Sequence, residues 1–192
     1  MTTLTLNLGS VISLTHEAFY ALCQANPDIQ FERTAKGELI IVSPVGGISG
    51  KGEADLIGAL WLWNQQTGLG VVFSSSTIFT LPNGADRSPD AAWVSSDRWE
   101  ALTPQEQEKF PPLCPNFVIE LRSPSDRLKS IQEKMQEYRD NGAQLGWLID
   151  PQNQKVEIYR QGQSVEVLDF PTSLSGENVL PGFVLDLGRI LA

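Results

Sequence analysis

The run Phe117-Val118-Ile119-Glu120-Leu121-Arg122 constrains the fold more than any other stretch of the chain. A near-continuous apolar run of this length is the pattern of a strand covered on both faces. Glu120 sits inside it, and a buried unpaired carboxylate is costly, so it needs a cation. Arg122 lies two residues on, so it points to the same face as Glu120 and is the expected partner. A second carboxylate, Asp90, has a similar setting in Pro89-Asp90-Ala91-Ala92-Trp93-Val94. Two carboxylates on neighbouring buried strands, with a cationic side chain nearby, suit a hard divalent metal.

The chain is long enough for one domain with a real core: 192 residues, 41% hydrophobic and 19% charged, a size at which about 70% of the unfolded surface is buried. It carries no apolar run near the ~20 residues of a membrane span. Its start, Met1-Thr2-Thr3-Leu4-Thr5-Leu6, lacks the basic and apolar regions of a signal peptide. Cys23 and Cys114 are isolated, which fits neither a disulfide framework nor a zinc site. The expected setting is cytoplasmic, with reduced thiols and no membrane partner. A net charge of −9 argues against strong nonspecific binding to nucleic acid. It leaves room for a local basic channel.

Along the chain, Thr15 reads as the N-cap of a short helix. Residues 29–32 and 38–42 read as a hairpin around Lys36-Gly37. Residues 44–52 form a glycine-rich loop ahead of a helix over 53–66, stopped by Gly68 and Gly70. That loop lacks the GxxxxGK[ST] spacing of a phosphate-binding loop. Residues 71–81 suggest one or two strands, and a polar helix over 99–109 starts near Thr103-Pro104. A helix over 127–141 carries Leu128, Ile131, Met135 and Tyr138 as its apolar stripe. Strand 117–121, this helix and strand 146–150 have the proportions of a crossover unit. Residues 156–160 and 165–170 alternate as a hairpin, and the tail 183–191 packs without a chemical signal. The pattern is α/β with a mixed sheet, not a regular doubly wound fold.

Lys134 is the third candidate for the site. It borders the apolar stripe of its helix, so its amine can snorkel toward the end of the Glu120 strand, where sites of open α/β sheets form. The plainer alternative is a solvated lysine paired with Glu137 or Asp126. His16 has no partner in view and reads as structural. Trp61 and Trp63 are two apart on one helix and face different ways. One of them should leave the core and mark a partner surface, most simply a homodimer.

These residues together resemble the PD-(D/E)XK nuclease superfamily and, more narrowly, the bacterial family named "putative restriction endonuclease". The resemblance runs through Pro89-Asp90, Glu120-Leu121-Arg122-Ser123-Pro124-Ser125-Asp126, Gln132-Glu133-Lys134-Met135-Gln136-Glu137-Tyr138 and Gly146-Trp147-Leu148-Ile149-Asp150-Pro151. It implies a restriction-endonuclease-like domain over 1–192, with its core at about 30–160. That core would be a central mixed sheet flanked by helices, preceded by an N-terminal helix and hairpin. It also implies Mg²⁺, with Mn²⁺ as a substitute, held by Asp90, Glu120 and the carbonyl of Leu121 or Ile119, and DNA as substrate. The superfamily pattern has Lys two residues after the Glu. Here Arg122 stands in that place, and the narrower family's pattern maps the lysine to Lys134. An acidic residue on the first core helix maps to Glu53, or second to Asp55. The implied activity is phosphodiester hydrolysis by a DNA endonuclease. The alternative is an inactive nuclease fold used for nucleic-acid binding or assembly, which Arg122 and the negative charge favour.

Overall fold

The computed structural model describes residues 3–8, 12, 14–188 and 190. β1 (Thr3–Leu6) precedes α1 (His16–Ala25), which opens where Thr15 Oγ1 accepts the Ala18 N–H at 3.3 Å. β2 (Gln30–Arg33) and β3 (Leu39–Val42) form the expected antiparallel hairpin, turning at Gly37 with φ +80°. α2 (Gly47–Thr67) then runs to Gly68, whose φ of +64° provides the left-handed cap.

The glycine-rich stretch expected as a loop is non-helical only up to Gly46, and its second part, 47–52, is the start of α2. Gly residues are poor helix formers, but packing overrides propensity here. A Cβ at Gly52 would lie 2.7 Å from Leu121 Cδ2, so the bare backbone lets α2 press against the Glu120 strand.

β4 (Gly70–Ser74), β5 (Phe79–Thr80), β6 (Asp86–Arg87) and β7 (Ala91–Ser95) follow. The polar helix expected over 99–109 is two short ones, α3 (Ser96–Glu100) and α4 (Pro104–Glu108). Thr103 interrupts them because it caps α4, in a reciprocal box with Glu106. β8 (Phe117–Leu121), α5 (Leu128–Asp140), β9 (Leu145–Asp150), β10 (Lys155–Arg160) and β11 (Glu166–Asp169) complete the main architecture. β12 (Ser173–Ser175) and β13 (Val184–Asp186) pair as a small separate ribbon in the tail.

The first sheet has the order β1-β3-β2-β6-β5, the second β11-β10-β9-β8-β7-β4. The second is mixed: β8 and β9 are parallel, as a crossover through α5 requires, and the other pairs are antiparallel. Phe117 and Ile119 of β8 face one core with Leu56, Leu60 and Trp63 of α2. Val118 faces the other, with Met135 and Tyr138 of α5. By the same alternation Glu120 belongs to the α5 side. Trp63 is buried and donates its indole N–H to Pro181 O at 3.1 Å, whereas Trp61 is 53% exposed. No described helix is long and apolar enough to cross a membrane. Both cysteines are free thiols.

Candidate active site

The chain passes from the first sheet to the second through the short link between β6 and β7, and the candidate site forms there. β7 is antiparallel to β8, with Ala91 opposite Ile119. One step further along that register brings Asp90 level with Glu120. The contact is direct: Asp90 Oδ2 accepts the Leu121 N–H at 2.7 Å. Asp90 is 5% and Glu120 6% exposed. Both face a cavity of about 750 Å³ whose walls come from both sheets and α5.

Lys134 reaches this point from α5. Its Nζ lies 2.8 Å from Glu120 Oε1, 2.8 Å from Glu32 Oε1 and 2.9 Å from Ser88 O. The partners are thus not Glu137 or Asp126. Tyr138, one turn further on, donates its hydroxyl to Glu120 Oε1 at 3.2 Å. Glu32 comes from β2 and was not legible as a site residue. It accepts the Ser88 N–H at 3.0 Å and Arg87 Nη1 at 3.1 Å. Arg87 in turn holds Glu137 at 2.6 Å. The only trace in the sequence is complementary charge: Glu32-Arg33 on one strand and Asp86-Arg87 on another, whose pairing depends on β2 lying beside β6.

Arg122 is a correction. It does not neutralise Glu120; its Nη1 pairs with Asp150 Oδ2 at 2.8 Å. β8 ends at Leu121, so the two-residue alternation stops one position short of Arg122. The Arg122 N–H instead bonds Ile149 O. Glu53 is half-buried on α2 and stands outside the cavity wall. Burial, with repulsion from Glu120 and Asp126, raises its carboxyl pKa. Asp55 pairs with Lys51 at 3.9 Å and also lies outside the cavity. His16 has a structural partner, Asp86, at 3.1 Å.

The electrostatics separate three buried carboxylates. Burial pushes Asp90 up to about 7, against the pull of Lys134 and the Leu121 N–H. Burial pushes Glu120 up to about 8, with Asp90 and Glu32 adding to it against the pull of Lys134. Burial also works to raise Glu32, but Lys134, Arg87 and its hydrogen bonds outweigh it and hold that carboxyl below its ordinary value. Burial opposes the charge on Lys134, yet the three carboxylates raise its pKa overall. The site has more carboxylate than its lysine can balance.

The two packed sheets, the α5 crossover and carboxylates at adjoining strand ends define a mixed α+β protein of the restriction-endonuclease-like class. Over residues 16–188 the chain matches the family model described as "Uma2: Putative restriction endonuclease", and it belongs to that family. It is also similar to a solved structure described as a "putative nuclease belonging to DUF820" from Anabaena variabilis. That match has a TM-score of 0.71 and 20% identity, and covers 84% of this chain and 89% of the other. It shows the fold. No curated protein matches the chain.

Proposed function

We propose that this protein is a divalent-metal-dependent nuclease that hydrolyses phosphodiester bonds of DNA. The observation that carries the reading is the convergence of Asp90, Glu120 and Lys134 at one wall of an open cavity. The donor set fits Mg²⁺ or Mn²⁺. Hard oxygens are what those ions take, and Asp90 and Glu120 are buried carboxylates short of positive charge. Among the described residues no three His, Cys, Asp or Glu side chains form a ready-made cage. The ion would therefore rest on Asp90, Glu120 and the Leu121 carbonyl, with water completing its shell. When bound, it lowers the pKa of a water molecule and offsets charge on the scissile phosphate.

The chain's own groups do the rest. The Leu121 N–H fixes the rotamer of Asp90, and Tyr138 fixes that of Glu120. Lys134 presents a fixed positive charge to a phosphate oxygen or to the attacking water. Arg122 stabilises the loop end through Asp150 and contributes charge only at a distance. Glu53 lies close enough to feel Glu120, and would tune the site's charge from α2.

The cavity wall carries seven acidic residues against three basic ones. That balance supports a nuclease whose polyanionic substrate enters only after cations are in place. It also supports the second reading, an inactive nuclease fold used in binding or assembly. Supercoiled plasmid incubated with pure protein and Mg²⁺ or Mn²⁺, beside Glu120→Ala and Lys134→Ala, separates the two. Nicking or linearisation that both substitutions and EDTA abolish is the expected result. Cleavage that survives Glu120→Ala would identify a contaminant and remove the nuclease reading. Exposed Trp61 and Leu62 on α2 support a homodimer. Light scattering at micromolar concentration tests it, and a mass of one chain would rule it out.

A further inference from the structure

An ammonium has three N–H groups, and three oxygens already surround Lys134 Nζ: Glu120 Oε1, Glu32 Oε1 and Ser88 O. In this arrangement no N–H is left for a substrate. Glu120 Oε1 cannot serve Lys134 and a divalent cation equally, so a loaded site leaves the lysine one partner short. Glu32 has no such conflict. Its Oε1 accepts the Ser88 N–H and its Oε2 accepts Arg87 Nη1, so both oxygens are braced from behind. Arg87 is itself anchored to Glu137, which accepts from Asn83 at 2.9 Å.

We infer that Glu32 is a positioning residue: it keeps the Lys134 ammonium at the cavity wall when Glu120 is engaged elsewhere, leaving one N–H free for a substrate oxygen. The inference rests on the metal-nuclease reading. It assigns a role to the hairpin β2–β3, which carries no chemistry of its own. That hairpin supplies the counter-ion that makes a lysine from α5 usable at the end of β8. Without the Glu32 charge, Lys134 would hold Glu120 as its nearest anion and compete with any cation for it.

The test is a cycle of Mn²⁺ titrations by calorimetry, without nucleic acid, on the full chain, Glu32→Gln, Lys134→Met and the double variant. Glu32→Gln should weaken Mn²⁺ binding about tenfold, the scale on which residues behind a ligand act. In the Lys134→Met background the same change should alter binding less than twofold, because the competing ammonium is gone. Equal losses in both backgrounds would make Glu32 a ligand and overturn the inference. So would no loss in either.

If Lys134→Met lacks a cooperative unfolding transition, the single variant decides. Glu32→Gln should lower kcat about tenfold or more with KM within twofold, since Glu32 acts through Lys134 and not on the substrate. A rise in KM with kcat unchanged, or wild-type kcat in the folded variant, would overturn it. The two readings fail differently. Wild-type cleavage with an unaffected Glu32→Gln removes only the positioning role. A full chain that takes up no Mn²⁺ at millimolar concentration removes the metal-nuclease reading as well.

Discussion

β2 and β6 build two buried ionic clusters on opposite faces of the same short pairing. On one face Asp86 Oδ2 takes Arg33 Nε at 2.7 Å, while its Oδ1 takes the Thr80 hydroxyl at 2.7 Å and His16 Nδ1 at 3.1 Å. The remaining Arg33 donors reach Leu14 O and Gly84 O at 3.1 and 2.7 Å. That cluster is closed: Asp86 and Arg33 are both buried, both Asp86 oxygens are engaged and every Arg33 nitrogen has an acceptor. On the other face Glu32 and Arg87 join Asp90, Glu120, Glu137 and Lys134 around the cavity. That is four carboxylates against two cations. Burial of charge is common to both clusters. Imbalance, together with an opening to solvent, distinguishes the one proposed to recruit a cation and a substrate.

The largest expected contrast comes from removing one carboxylate on each side. Glu120→Ala should lower plasmid cleavage by about 10²–10³-fold and leave the urea midpoint at pH 8 unchanged or raised, because it relieves crowding among like charges. Asp86→Ala should instead cost about 3–5 kcal/mol in urea unfolding, because Arg33 is left buried and unpaired. If Asp86→Ala is the milder of the two for stability, the distinction between the clusters fails.

Next in size is the response to pH. Asp90 and Glu120 have folded values of about 7 and 8, against about 4 unfolded. The folded chain therefore binds more protons between those limits, and stability falls as pH rises. The contribution is fully present below about pH 4 and is lost as pH passes through 7–8. The metal-free protein should be less stable at pH 9 than at pH 6 by a few kcal/mol at most, measured by urea midpoints. Glu120→Gln should flatten that slope. Mn²⁺ should restore stability at pH 9 and do little at pH 5, where protons already occupy both carboxyls; equal stabilisation at both pH values would contradict a site on these two groups.

Arg122→Lys should have the smallest effect: about 1 kcal/mol of stability, from the weakened pair with Asp150, and cleavage within about twofold of wild type. A loss of cleavage comparable to Lys134→Ala would return Arg122 to the chemistry.

Much of this was legible along the chain. The two-sided burial of β8, the crossover through α5 and the Thr15 and Thr103 caps follow from periodicity and local hydrogen bonding, which neighbouring residues set. Asp90 and Glu120 stood out because each is a carboxylate in an apolar run, whereas Lys134, in a polar helix, joined them through its place beside the apolar stripe and through the family resemblance. Residues 47–52 were misread because glycine's low helix propensity is a local property, while the fit of Gly52 against Leu121 is not.

The sequence by itself determined that Glu120 would be buried, and that a cation would have to meet it. Which cation met it was decided only by tertiary structure. Arg122, adjacent in sequence, went to Asp150 because β8 ended before it. Lys134 arrived from α5, and Glu32 from the first sheet. A strand's burial on both faces is written in its own apolar run, but a counter-ion is chosen by which charged groups the packing of sheet and helix brings within a few ångströms, since charge attraction depends on distance through space and not along the chain.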